Sequence, residues 1–157
     1  MGNSSISQII QLMLASGLMI SACGLLLLGM NNKYFLIVNR IRLLNEERRK
    51  FLSQSAGKEF TYEENVRVES ISIQLSALLV LVKLVRNAVL SYTIAVAFFV
   101  FTSLLKGLQL AFKGIDFTTT VTLCFLAGMV SVVTGIFYAA YETKKGYDII
   151  QLEINID

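Results

Sequence analysis

The sequence contains no histidine, proline or tryptophan, and only 16% of its 157 residues are charged. Without histidine it lacks the commonest general base of enzymes and a leading metal ligand. Without proline it lacks the residue that most often ends or kinks a helix. Soluble domains carry about a quarter charged residues, so the low charge indicates that lipid surrounds much of the chain.

Cysteine is also scarce, and its two positions favour buried free thiols. Cys23 and Cys124 both lie inside apolar runs, and a disulfide or a metal pair is the alternative interpretation. No carboxylate lies in an apolar run, and no glycine-rich loop precedes a helix. We therefore expect no enzymatic activity, no metal site and no cofactor.

Long apolar runs are abundant: 55% of the residues are hydrophobic, and the mean hydropathy is +0.65. About 20 helical residues cross the roughly 30 Å hydrocarbon layer of a membrane. Transmembrane helices are predicted over residues 9–30, 88–110 and 118–141, which are uncharged apart from Lys106. The sequence therefore predicts an all-α integral membrane protein, with residues 1–157 as a single membrane domain.

The segment Ile20-Ser21-Ala22-Cys23 has the outline of a lipoprotein processing site. A signal peptide begins with positive charge, whereas residues 1–8 contain no lysine or arginine. The apolar run also continues through Leu28 after the cysteine. We therefore expect this segment to remain as the first transmembrane helix.

Basic residues are concentrated between the first two spans, and cytoplasmic loops of membrane proteins carry an excess of them. Residues 31–87 hold ten of the 14 basic residues, namely Lys33, Arg40, Arg42, Arg48, Arg49, Lys50, Lys58, Arg67, Lys83 and Arg86. We predict a multi-pass protein of the cell (inner) membrane, with its N-terminus outside. Residues 31–87 and the tail, residues 142–157, are then cytoplasmic.

Residues 31–87 have the pattern of two long helices that continue the first two spans. Thr61 and Glu64 match a capping box that would start the returning helix. This helix has a coiled-coil-like seam of apolar residues: Val68, Ile71, Leu75, Leu78 and Val82. We predict a cytoplasmic antiparallel helical hairpin. The seam packs against the other helix of the hairpin or, alternatively, docks a partner.

Small residues recur at helix-contact spacing in two spans, where they let helix backbones approach closely. They are Gly17, Ser21 and Gly24 in the first span, and Gly128 and Gly135 in the third. The third span also carries a polar stripe that includes Thr120, Ser131, Thr134 and Tyr138. The stripe is interpreted either as helix packing or as the lining of a wetted path in an oligomer.

Basic residues near the span ends are expected to meet anionic lipid headgroups. They are Lys33, Lys83, Arg86 and Lys144. Residues 48–50, Arg-Arg-Lys, lie further from the membrane than a Debye length of about 8 Å. They form a solvated face or, alternatively, dock an acidic protein or nucleic acid. For the protein as a whole, no nucleic-acid partner is expected.

The tail has a different pattern, because Ile150, Leu152, Ile154 and Ile156 alternate with polar residues. Alternation of this kind favours a β-strand, and a lone strand needs a partner. We therefore predict a strand here, which pairs with a neighbouring subunit or frays.

The first half of the chain resembles a known family. The resemblance is carried by residues 21–28 (SACGLLLL), residues 31–33 (NNK) and residues 39–45 (NRIRLLN). These segments are similar to a prokaryotic family of small three-span membrane proteins of unknown function. Its pattern includes basic residues at Lys33, Arg40 and Arg42, and often an acid where this chain has Asn39. The resemblance implies an integral membrane protein and no particular activity.

Two functional hypotheses follow. In the first, a self-associating membrane protein conducts an ion or a solute along the third transmembrane helix. In the second, a non-conducting scaffold or accessory subunit docks a partner protein on its cytoplasmic hairpin. Both include contact with membrane lipid, and the first requires a homo-oligomer.

Overall fold

The computed structural model describes residues 2–54, 61–111 and 117–154. These residues form three helices, α1 (Gly2–Gln54), α2 (Tyr62–Ala111) and α3 (Thr118–Ile154), and no strand. Each helix contains a stretch that is long and apolar enough to cross a membrane. The prediction of an all-α, multi-pass membrane protein with three transmembrane helices is confirmed.

The central helix is α2, which packs along α1 and along α3, whereas α1 and α3 barely touch each other. Successive helices run antiparallel. Arg67 near the start of α2 pairs with Glu47 near the end of α1, with 3.0 Å between Arg67 Nη2 and Glu47 Oε1. The Ser131 hydroxyl of α3 donates to the Ser91 carbonyl of α2 at 2.8 Å.

Neither α1 nor α2 breaks where its apolar stretch ends. Beyond Lys33 and Lys83, the two helices continue side by side for about 30 Å at 1.5 Å per residue. We term this pair of segments, residues 34–54 and 62–82, the stalk. The two spans and the hairpin are therefore built from the same two continuous helices.

One of the hydrogen bonds of the predicted capping box is present at the start of α2. The Thr61 amide donates to Glu64 Oε2 at 3.0 Å, so the carboxylate satisfies a backbone group that has no partner within the helix. The Asn65 amide donates to the Thr61 carbonyl at 3.1 Å. The predicted turn before this cap falls on residues 55–60, which lie outside the described residues.

The predicted seam lies along the stalk portion of α2. Ile71 is buried, and Val68, Leu75, Leu78 and Val82 are half-buried. In the α1 half of the stalk, Leu44 is buried as well. Packing between α1 and α2 of one chain therefore accounts for much of the burial along this seam.

The prediction of a strand in the tail is wrong over residues 150–154, because α3 continues to Ile154. A helix satisfies its backbone hydrogen bonds within one segment, whereas a strand needs a neighbour to supply them. Continuing α3 therefore requires no second strand. Residues 155–157 lie outside the described residues.

Candidate functional site

Two aromatic rings of α2 lie directly against two glycines of α3. Tyr92 and Phe99 are 1% and 0% exposed. A Cβ atom at Gly135 would lie 2.6 Å from Tyr92 Cε1, and one at Gly128 would lie 2.8 Å from Phe99 Cε1. Real Cβ atoms essentially never come so close. The two rings therefore occupy the space that a side chain at residue 128 or 135 would need. We term Gly128 and Gly135 the filled glycine face.

The same two rings belong to buried clusters that include residues of α1. Tyr92 belongs to a buried cluster with Met30 of α1 and two residues of α2. Phe99 belongs to a second cluster with Cys23 of α1, and its ring centroid lies 5.5 Å from that of Phe125 in α3. Because large aromatic side chains bury much apolar area, these contacts are a main source of packing between the spans.

An ion pair joins α1 to α3. Lys33 Nζ lies 2.8 Å from Glu142 Oε2 and 3.3 Å from Thr143 Oγ1. The Glu142 side chain is only 8% exposed, and that of Lys33 is 46% exposed. A buried carboxylate is costly unless it is paired and hydrogen-bonded. We term Lys33, Glu142 and Thr143 the clasp, because they connect two helices that otherwise scarcely meet.

In each of the three helices, the charged residues that border the apolar stretch on the stalk side lie at the same depth. Met30 of α1, Val85 of α2 and Ala139 of α3 pack in the same cluster. Each of them is within about one helical turn of a charged residue; these are Lys33, Arg86 and Glu142. A common level of charge is what a single membrane surface requires, because charged side chains are excluded from the hydrocarbon. We term this level the charged belt; it also includes Lys83, Lys144 and Lys145.

Four of these basic residues are predicted headgroup ligands, and the structure places them differently. Lys83, Arg86 and Lys144 are exposed. Lys33 instead directs its ammonium group to Glu142. Its charge is therefore already compensated within the chain, whereas the other three charges remain available at the surface.

The polar stripe of α3 is divided between two directions. Ser131 hydrogen-bonds to α2, and Tyr138 packs against the cluster that contains Met30 and Tyr92. Thr120 and Thr134 are exposed, and the Thr134 hydroxyl donates to the Val130 carbonyl of its own helix at 2.9 Å. The structure therefore brings two members of the stripe into the protein and leaves the other two facing outward.

The small residues of α1 are arranged differently from those of α3. Gly17, Ser21 and Gly24 are exposed, and a Cβ atom at either glycine would meet no atom within 4 Å. A shallow groove in this region is lined by Ile10, Met13, Leu14, Gly17, Leu18 and Ser21. We term Gly17, Ser21 and Gly24 the open glycine face.

Glu142, Tyr92 and Phe99 were absent from the sequence predictions. Glu142 is the first acidic residue after the third apolar run, which places it at the membrane surface with Lys33. The seven-residue spacing of the two aromatic residues also equals that of Gly128 and Gly135. Both signals are present in the sequence. Matching Glu142 with Lys33, or the two aromatic residues with the two glycines, requires knowing which helices pack together.

Comparison with known proteins assigns a family without a function. No curated protein and no solved structure matches the chain. A family model described as "Protein of unknown function (DUF2721)" matches residues 13–152. The matched range includes the clasp, both glycine faces and the stalk, and it extends well beyond the segments that carry the resemblance. The chain therefore belongs to this family of proteins of unknown function.

Proposed function

We propose that the protein is a non-enzymatic, self-associating membrane scaffold. Copies pair through the open glycine face of α1 and so hold their stalks side by side on the cytoplasmic side of the membrane. The observation that carries this proposal is that Gly17 and Gly24 meet nothing within their own chain. They also lie on a helix that continues unbroken into the stalk.

The pairing of copies is supported by the physics of helix association in lipid. Lipid tails are as apolar as leucine, so exposed leucines alone provide little drive for association. Small residues allow close backbone contact and the van der Waals attraction that accompanies it. Within one chain the aromatic rings of α2 occupy the space beside Gly128 and Gly135 of α3, whereas nothing occupies the space beside Gly17 and Gly24 of α1. A second copy of α1 would supply the missing contact.

The same line of α1 continues from the membrane into the stalk. Steps of seven residues lead from Ser21 through Leu28 and Phe35 to Arg42 and Arg49, all of which are exposed. Residues at this spacing lie close to one face of a helix. Contact at Ser21 would therefore bring the corresponding stalk residues of two copies near each other.

The charges on this face suit a parallel pair. Copies of one membrane protein share an orientation, so their α1 helices run parallel. The exposed residues Arg42, Glu46 and Arg49 alternate in sign along one side of the helix. Arg42 of each copy can then face Glu46 of the other, which gives two equivalent pairs about a two-fold axis.

The proposed orientation places the stalk in the cytoplasm and the N-terminus outside. Residues 31–87 carry ten basic residues, whereas residues 1–30 carry none. The positive-inside rule therefore favours a cytoplasmic stalk in the cell (inner) membrane. Leu36 and Leu43 are exposed beyond the charged belt, where apolar surface in water favours the binding of a cytoplasmic protein.

A conducting oligomer is the second candidate, and one observation favours it. Thr120 and Thr134 of α3 are exposed and separated by two heptads, so an oligomer could place them around a shared axis. This arrangement requires α3, rather than α1, to face the neighbouring copy. The two candidates therefore differ in which helix forms the interface.

The test measures mass and ion flux on the same purified full-length protein. We expect native mass spectrometry in mild detergent to give a dimer or a larger homo-oligomer, and liposomes containing it to show no ion flux. A strict monomer in both detergent and lipid nanodiscs would contradict the scaffold. Ion flux that Thr134→Leu abolishes, while the oligomer survives, would establish the conducting alternative instead.

A further inference from the structure

One face of α2 carries two cations directly beside a long uncharged stretch. Lys83 and Arg86 are exposed, and the next charged residue along the helix is Lys106. Among the side chains that the structure describes, neither Lys83 nor Arg86 has an ion-pair partner. Their charges therefore remain available at the depth of the charged belt.

The apolar part of the same face continues this line across one leaflet. Leu90, Ile94, Ala97 and Phe101 follow Arg86 at steps of three or four residues and are all exposed. Such steps keep residues on one side of a helix. Ile94, Ala97, Phe98 and Phe101 line a shallow groove, and Ala97 has the shortest side chain among them.

The dimensions of this face match one lipid molecule. From Leu90 to Phe101 the helix rises about 16 Å, close to half of the roughly 30 Å hydrocarbon thickness. Helical side chains lean toward the N-terminus of their helix, which for α2 is the stalk end. Lys83 and Arg86 therefore reach toward the headgroup region, and the groove lies beside the acyl chains.

We propose that this face is a binding site for one anionic phospholipid of the leaflet next to the stalk. The lipid phosphate lies between Lys83 and Arg86, where the guanidinium group can form two parallel hydrogen bonds to it. One acyl chain lies along the groove beside Ala97. We term Lys83, Arg86 and the groove the lipid site.

The charge of this face decides between a lipid and a second copy of the chain. Two copies with the same orientation would bring Lys83 and Arg86 of one against the same cations of the other. Like charges at close range repel, whereas an anionic headgroup neutralises both cations. The lipid site is also on a different helix from the open glycine face, so it does not depend on the proposed self-association.

The first experiment compares two double variants that remove the same charge. Full-length protein is reconstituted with phosphatidylcholine containing phosphatidylglycerol as the probe, and native mass spectrometry measures the bound phosphatidylglycerol. We expect Lys83→Gln with Arg86→Gln to weaken its binding about 30-fold, because both cations lie on the face that carries the groove and each contributes to holding the headgroup there. Lys144→Gln with Lys145→Gln removes the same charge at the same belt, but from α3, which does not line the groove. The control should therefore change the binding less than about threefold.

A second pair of variants tests the groove without changing any charge. Ala97→Phe fills the groove and should reduce retention of phosphatidylglycerol, while Ala140→Phe at an exposed position of α3 should not. This pair keeps the proposal testable if removing Lys83 and Arg86 disturbs membrane insertion.

Three results would overturn the lipid site. Equal losses in the two charge variants would mean general attraction to a charged surface. Retention of phosphatidylcholine as strong as that of phosphatidylglycerol would mean that the headgroup charge is not recognised. Disulfide formation between copies of Lys83→Cys would mean that a second copy covers this face.

Discussion

Helices α1 and α3 each carry two glycines seven residues apart, and the two pairs have opposite surroundings. The rings of Phe99 and Tyr92 of the same chain occupy the space beside Gly128 and Gly135. Gly17 and Gly24 meet nothing within their chain. The comparison teaches that glycine spacing marks where a helix can be approached closely, whereas the neighbouring helix decides whether that space is filled. The predictions below test this difference, beginning with the largest expected effect.

The filled glycine face should be intolerant of side chains. Gly135→Leu would place atoms inside the Tyr92 ring position, and overpacking of this kind costs about 1–3 kcal/mol or more. We expect the free energy of unfolding to fall by about 3 kcal/mol, at the upper end of that range. Gly17→Leu is the matched control, and it should change the value by less than about 0.5 kcal/mol.

The measurement is equilibrium unfolding by sodium dodecyl sulfate in mixed micelles, followed by circular dichroism. Equal losses for Gly135→Leu and Gly17→Leu would remove the distinction between the two faces. The same outcome would show that the Tyr92 ring of α2 does not limit the size of the side chain at residue 135.

The clasp should respond unequally to loss of its two charges. Lys33→Gln leaves the buried Glu142 carboxylate without its cation, whereas Glu142→Gln leaves a half-exposed lysine that water can solvate. We expect Lys33→Gln to cost about 1–2 kcal/mol, reduced from the range for a fully buried pair because Lys33 is half-exposed. Glu142→Gln should cost less than Lys33→Gln in the same unfolding assay.

The exchanged pair, Lys33→Glu with Glu142→Lys, tests whether the charges act on each other. Partial recovery relative to Lys33→Glu alone is expected, since the ion pair is restored with reversed polarity. The contrary result is that the exchanged pair loses as much free energy of unfolding as its two single variants together, or more. That result would mean that the two charges do not stabilise each other.

The open glycine face should affect association and leave folding unchanged. Gly17→Leu with Gly24→Leu separates the paired α1 backbones. We expect it to weaken dimerisation roughly tenfold, or about 1.4 kcal/mol. Energy transfer between labelled copies in liposomes of varied dilution measures this constant. Gly29→Leu, an exposed glycine on another side of α1, is the control and should leave dimerisation unchanged.

The smallest effect is expected from the charges of the stalk. Arg42→Glu places like charges opposite Glu46 of the second copy, and exposed pairs of this kind are worth about 0.2–1 kcal/mol. Adding Glu46→Arg should restore the dimerisation constant in the same assay. Identical constants for the single and the double variant would mean that the stalks do not meet along this face.

Much of the fold could be predicted because it depends on local properties of the sequence. The lengths of the apolar runs, the absence of proline and the Thr61–Glu64 cap define three long helices and the hairpin. The tail was predicted wrongly because a short period-two pattern was weighed without its surroundings. In the structure this segment simply continues α3.

Gly128 and Gly135 were predicted to lie at helix contacts, but their partners and the clasp could not be predicted, because both depend on contacts between distant residues. Lys33 and Glu142 are 109 residues apart in sequence. Tyr92 meets Gly135 only after α2 and α3 have paired in one register. The glycines of α1 and α3 have the same pattern in the sequence, so local reasoning treats the open and the filled face alike.

The central claim is that α1, rather than α3, forms the interface between copies, and disulfide cross-linking tests it most directly. Cysteines are introduced singly at Ser21 of α1 or at Thr134 of α3, with Cys23 and Cys124 replaced by alanine. The account predicts a covalent dimer for Ser21→Cys after oxidation in native membranes, and none for Thr134→Cys. Cross-linking through Thr134→Cys alone would contradict the account and place α3 at the shared interface.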